Sequence, residues 1–146
     1  MAFIPADAKW YLAQIVNEIT IEGEARNVVH LNTTLVRADS PLEAYERAIE
    51  LGKQGETGYR NLSDKQVGIH FRGLHSLDVI CDNLEHGAEL SFIERIGVPK
   101  EEVAKLVTAK EQLAVFKPIT RSKAPDYRCK EVVEQALRMI SKPDSK

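Results

Sequence analysis

Between Asp39 and Gly58 the spacing of apolar residues changes from two to about 3.6 and then back again, and this switch limits the folds open to the chain. In the stretch DSPLEAYERAIELGKQGETG, Ser40 suits a helix N-cap, Pro41 suits the first helical position, and Glu43 completes a Ser-x-x-Glu capping box. Leu42, Tyr45, Ala48 and Ile49 fall at helical spacing and predict the buried stripe. Glu43 and Arg47 can pair at i,i+4 on the outside, and Gly52 and Gly55 end the helix.

The flanking segments have strand period. In KWYLAQIVNEITIEG, Tyr11, Ala13, Ile15, Ile19 and Ile21 share one face, while Trp10, Leu12, Gln14, Val16 and Glu18 share the other. NVVHLNTTLVRA alternates Val29, Leu31, Thr33 and Leu35 against His30, Asn32 and Thr34, and the short link at Glu22–Arg26 predicts a hairpin. Past the helix, KQVGIHFRGLHSLDVIC sets Val67, Ile69 and Phe71 inward and His70 and Arg72 outward, with Gly73 marking a bulge. NLEHG turns the chain, and AELSFIERIGV is expected to return as the last strand. The fold expected is α+β: an antiparallel sheet of about four strands in strand-strand-helix-strand-strand order. Two C-terminal helices follow, from PKEEVAKLVTAKEQL and from APDYRCKEVVEQALRMI, whose stripe is Cys129, Val132, Val133, Ala136, Leu137 and Ile140. We therefore expect a sheet domain over 1–98 and a helical extension over 99–146, packed on it or on a partner.

With 146 residues, 43% hydrophobic and 29% charged, the chain can bury a core. A net charge of −2 argues against a general nucleic-acid binder. Residues 1–99 carry 9 Lys/Arg against 15 Asp/Glu, whereas residues 100–146 carry 11 against 7, so the two parts differ in sign. The start MAFIPADAKWYLAQIV shows neither a basic leader nor an apolar run of membrane length. Cys81 and Cys129 are two cysteines in unlike contexts, and no disulfide framework is expected, which makes a reducing cytoplasm the default.

The stretch HFRGLHSLDVICDNLEH holds three of the four histidines and one cysteine. Its spacing, His70-x4-His75-x5-Cys81-x4-His86, lacks the close ligand pairs of a zinc site, and no metal or cofactor is expected. His75 and His86 read as loop or turn residues, and Cys81 as a small buried hydrophobe. The more informative subset lies on the sheet face predicted to be opposite the helix: Trp10, Leu12, Gln14, His30, Asn32, Thr34, His70 and Arg72. This mixture suits a protein interface or a small anion pocket in which Arg72 clamps and His30 and His70 exchange protons. Phosphate loops, nucleophile elbows and aromatic-studded basic surfaces are absent, and no catalytic residue is indicated.

The segments WYLAQIV, RNVVHLNTTLVRADSPLEAYERAIELG, FRGLHSLDVI and LEHGAEL together resemble a bacterial family known only as a domain of unknown function, DUF4288-like, over roughly residues 9–96. That resemblance implies a strand-strand-helix-strand-strand core and supplies no catalytic residues. The function expected is a small cytoplasmic interaction or regulatory module, a homodimer or the binder of another protein, without membrane or nucleic-acid partners. The alternative is an anion-binding protein or small enzyme on the His30, His70 and Arg72 face.

Overall fold

The computed structural model describes residues 4–119 and 123–141. Four segments of alternating or β-branched sequence pair into one antiparallel sheet: β1 (Trp10–Ile21), β2 (Val28–Arg37), β3 (Thr57–Arg60) and β4 (Gln66–Val79). Helix α1 (Pro41–Gln54) connects β2 to β3. The spatial order is β2-β1-β4-β3, which leaves β2 and β3 at the edges. Helices α2 (Lys100–Leu106) and α3 (Lys130–Ser141) follow, with two single 3₁₀ turns between them. The fold is α+β, with one four-stranded antiparallel sheet and three helices.

The described residues form two units. One comprises the chain up to Ser91 together with the segment from Pro125 onward, and the other is Phe92–Ala124. No helix among the described residues is long and apolar enough to cross a membrane.

The expected return strand over 88–98 does not form, and the hairpin partner of β4 is instead the short β3. β3 pairs with β4 only over Gln66–Ile69, and among the described residues no strand pairs with the rest of that edge of β4. The bulge expected at Gly73 is present, with φ at +136°, where glycine is favoured. The β1–β4 register slips twice, so that β4 carries Arg72 and His75 as extra residues against β1. His75 is thus a strand bulge residue and not a loop residue, and Cys81 is exposed and not buried.

Helix α1 forms where expected but buries a different face. Ser40 Oγ accepts from the Glu43 backbone N–H at 3.2 Å, and Arg47 pairs with Glu43 at 2.8 Å. The buried residues are Ala44, Ala48 and Gly52, one small residue per turn, while Leu42 is 67% exposed and Tyr45 is exposed as well. Small residues let the helix lie close on the sheet, and large sheet side chains fill the layer between. The core beneath α1 is Tyr11, Ala13, Ile15, Val36 and Ala38, with Phe71, Leu74, Leu77 and Val79 packed against it.

A second core occupies the other end of the same sheet face: Ile19, Ile21 and Val67, bordered by Val28, Tyr59, Ile69 and Tyr127. Here the cover comes from the half-buried segment 125–129, just before α3. Asn61 Nδ2 donates to the Asp126 carbonyl at 2.9 Å, and the Tyr59 hydroxyl donates to the Tyr127 carbonyl. Beyond this segment the expected stripe of α3 is largely solvent-facing, with Val132, Leu137 and Ile140 all exposed.

Candidate functional site

Residues opposite one another in an antiparallel ladder share a face, so the register assigns every side chain to one side of the sheet. Trp10, Leu12, Gln14, Val16 and Glu18 of β1 stand opposite Arg37, Leu35, Thr33, Leu31 and Val29 of β2. On the other flank, Leu12, Gln14, Glu18 and Thr20 stand opposite Asp78, Ser76, His70 and Gly68 of β4. These residues form the face turned away from α1. Tyr11, Ala13, Ile15 and Asn17 lie on the helix face, and with them Val36, Thr34, Asn32 and His30.

The predicted constellation therefore divides. Trp10, Leu12, Gln14 and His70 share the open face, and Arg72, the bulge residue, reaches that face through its contact with Glu18. His30 and Asn32 do not belong to it. His30 stands on the helix face, its ring centroid 5.1 Å from that of Tyr127 in a T-shaped contact. Asn32 is exposed near the centre of the β2 edge. Alternation within β2 was correctly legible, but only pairing with β1 decides which of its rows faces the helix. The row that the predicted constellation leaves facing the helix, Val29, Leu31, Thr33 and Leu35, is the one turned away from it.

Polar side chains on the open face are tied to one another. Arg72 Nε and Nη2 both approach Glu18 Oε1, at 3.0 and 2.9 Å. Asn27 Nδ2 donates to Glu18 Oε2 at 2.7 Å, and these bonds, the one from Asn27 foremost, hold the Glu18 carboxyl below the usual carboxylate range. Thr20 Oγ1 and His70 Nε2 are 3.0 Å apart, and Ser76 Oγ donates to Gln14 Oε1 at 3.1 Å. The Arg37 guanidinium carbon lies 6.0 Å from the Trp10 ring centroid, within reach of a cation–π contact. A ladder of hydrogen bonds and one ion pair thus crosses β4 and β1, leaving the guanidinium of Arg72 already engaged by a carboxylate.

The apolar part of the face is less satisfied. Leu12 is 7% exposed, but Val29, Leu31 and Leu35 are 53%, 50% and 44% exposed. Single exposed apolar residues are ordinary. Val29 and Leu31 beside half-buried Val16, and Leu35 beside Leu12 and half-buried Trp10, place three on one row of a strand, interrupted by Thr33 and the facing Gln14.

The histidines and cysteine of residues 70–86 do not form a metal site: among the described residues no three His, Cys, Asp or Glu side chains are grouped to hold a metal ion. Residues 10–91 match the family model described as Domain of unknown function (DUF4288), a span that contains the whole sheet and α1. No curated protein and no solved structure matches the chain.

Proposed function

This chain belongs to the DUF4288 family, and we propose that it is a small interaction module that associates with itself through the β2 side of its open sheet face. The observation that carries the reading is the apolar strip of Val29, Leu31 and Leu35, which the intrachain core does not use. Such a strip gains by covering: the apolar area removed from water on association is worth about 25 cal/mol per Å² before the entropic cost of docking. The two free cysteines fit a module that acts in the cytoplasm.

An anion pocket around His30, His70 and Arg72 has less behind it. It needs the three side chains on one side of the sheet, whereas the register sets His30 on the other, and Arg72 is paired with Glu18. Sedimentation velocity of the wild type and of Leu31→Glu tests the proposal. The expected result is a dimer that the charged substitution converts to monomer, with the melting temperature of the monomer little changed because Leu31 contributes little to the core. A wild type that remains monomeric at about 100 μM, a concentration that would populate even a weak dimer, overturns the reading.

A further inference from the structure

We infer that the free edge of β2 is where two copies of this chain pair, antiparallel strand against strand, to make one continuous eight-stranded sheet; this rests on the self-association reading above and specifies its geometry.

The direction in which each β2 backbone group points follows from one bond. The Ala38 N–H donates to the Lys9 carbonyl at 2.9 Å, and this pair continues the register that places Trp10 opposite Arg37. In an antiparallel ladder, alternate residues turn both backbone groups to the same neighbour. The even residues of β2 are therefore bonded to β1, while Val29, Leu31, Thr33, Leu35 and Arg37 turn theirs outward. Arg37 agrees, since its carbonyl accepts from Arg47 Nη1 of α1 at 2.7 Å and not from β1. Val29, Leu31, Thr33 and Leu35 have no such cap, and among the described residues no other segment pairs with their backbone.

Proteins ordinarily blunt such an edge with a short strand, a proline, a bulge or charged side chains. The opposite edge follows that rule: β3 has four residues with its Tyr59 held by the segment at Tyr127, and the flank of β4 beyond Ile69 carries Arg72, Asp78 and two register irregularities. β2 does not. It is ten residues long, unbroken in its pairing with β1, and has no charged residue or proline from Val28 to Val36.

The edge is also complementary to itself. A two-fold axis through Asn32 sets Val29 opposite Leu35 of the second copy and Leu31 opposite Thr33, so all four open residues are paired at once. Three of these four, Val29, Leu31 and Leu35, carry exposed apolar side chains, which come together in one row across the junction. At the ends of that row Arg37 comes opposite Asn27 of the second copy, whose amide is bonded to the Glu18 carboxylate, so a cation approaches an acidic end. Hydrogen bonding, apolar burial and charge favour a single register.

The test uses the whole chain with Cys81→Ser and Cys129→Ser. In the proposed register, position 32 lies on the axis, at a non-hydrogen-bonded site where facing Cα atoms are about 4.5 Å apart, within disulfide reach. Asn32→Cys should cross-link between copies on mild oxidation. Thr34→Cys should not, because the two copies of residue 34 are about 13 Å apart along the strands. Separately, Thr33→Pro removes an outward N–H without touching the ladder to β1, and should weaken the dimer at least about tenfold while a cooperative melt shows that the fold persists. A wild-type dimer that Thr33→Pro leaves intact, with no cross-link at position 32, overturns the edge geometry but leaves the interaction reading standing. A wild type that is monomeric at about 100 μM overturns both.

Discussion

The ring of Phe71 occupies the space a side chain at Gly52 would need: a Cβ added there would lie 2.3 Å from the ring. This contact fixes how closely α1 approaches β4, and it explains why the helix can bury its Ala44, Ala48, Gly52 line. Gly52→Ala should therefore destabilise the protein by about 1–3 kcal/mol, offset in part by alanine's better helix propensity. Trimming the ring in the Gly52→Ala, Phe71→Leu pair should cost less than the two single changes added together. Chemical denaturation of the four proteins measures the coupling, and simple additivity would mean that the ring moves aside freely.

The same packing sets the order of substitutions along the helix. Ser40→Ala should cost about 0.5–2 kcal/mol, because its hydroxyl satisfies the Glu43 N–H. Leu42→Ala should change stability by no more than about 0.5 kcal/mol, since that side chain faces water. Ala48→Leu should cost about 1–3 kcal/mol by overfilling the interface with the sheet. Thermal melts that ranked Leu42→Ala as the most harmful would restore the large-residue stripe as the buried face.

That reversal shows where a sequence stops informing. The capping box at Ser40 and the alternation in residues 10–21 and 66–71 are local chemistry, and the structure follows them. The helix face is not local: Leu42, Tyr45 and Ile49 give a convincing stripe, but sheet residues as large as Phe71 and Tyr11 leave room only for alanine and glycine. The side assigned to His30 and Asn32 failed for a similar reason. A period of two defines two rows in β2, and only the pairing of His30 with Asn17 and Asn32 with Ile15 says which row looks at the helix. Strand β3 is four residues with a glycine at its second position, too short to show a period. The segment at 88–98 has apolar content enough for a strand, yet it forms none, although the edge of β4 beyond Ile69 has no strand partner among the described residues. For the candidate site, Trp10, Leu12, Gln14, His70 and Arg72 are legible because strand parity places them together, whereas parity alone does not show that the row of Val29, Leu31 and Leu35 shares their face.

The second core depends on a segment distant in sequence. Tyr127 covers Ile19, Ile21 and Val67, and its carbonyl receives the Tyr59 hydroxyl. Tyr127→Ala should cost about 1–3 kcal/mol, below the full value for a completely buried aromatic because the ring is only half-buried. Tyr59→Phe should cost about 0.5–1.5 kcal/mol for the lost bond alone. Hydrogen exchange on Tyr127→Ala is expected to show faster exchange in β3 and the adjoining part of β4 than in α1. Equal changes in both regions would mean that the two cores unfold as one.

The open face carries an acid-sensitive contact. Asn27 and then Arg72 hold the Glu18 carboxyl below its ordinary value of 4.5. A carboxylate held lower in the folded chain than in the unfolded one contributes stability that is fully present above the unfolded value, and loses it as pH falls through the folded one. Stability should thus be insensitive to Glu18 from neutral pH down to about 5, then decline as the carboxylate takes up its proton. Glu18→Gln keeps a similar shape and can still accept from Asn27 while removing the charge that Arg72 pairs with. The variant should melt lower than wild type at neutral pH, and the difference should shrink as pH falls below the ordinary carboxylate range and the two curves converge. Salt should narrow the neutral-pH gap, because Arg72 is solvent-exposed and its field is screened. Melting temperatures across that range, at low and high salt, decide the matter: parallel curves would mean that the Glu18 charge contributes nothing to the folded state and that the ladder on this face is held by its neutral hydrogen bonds.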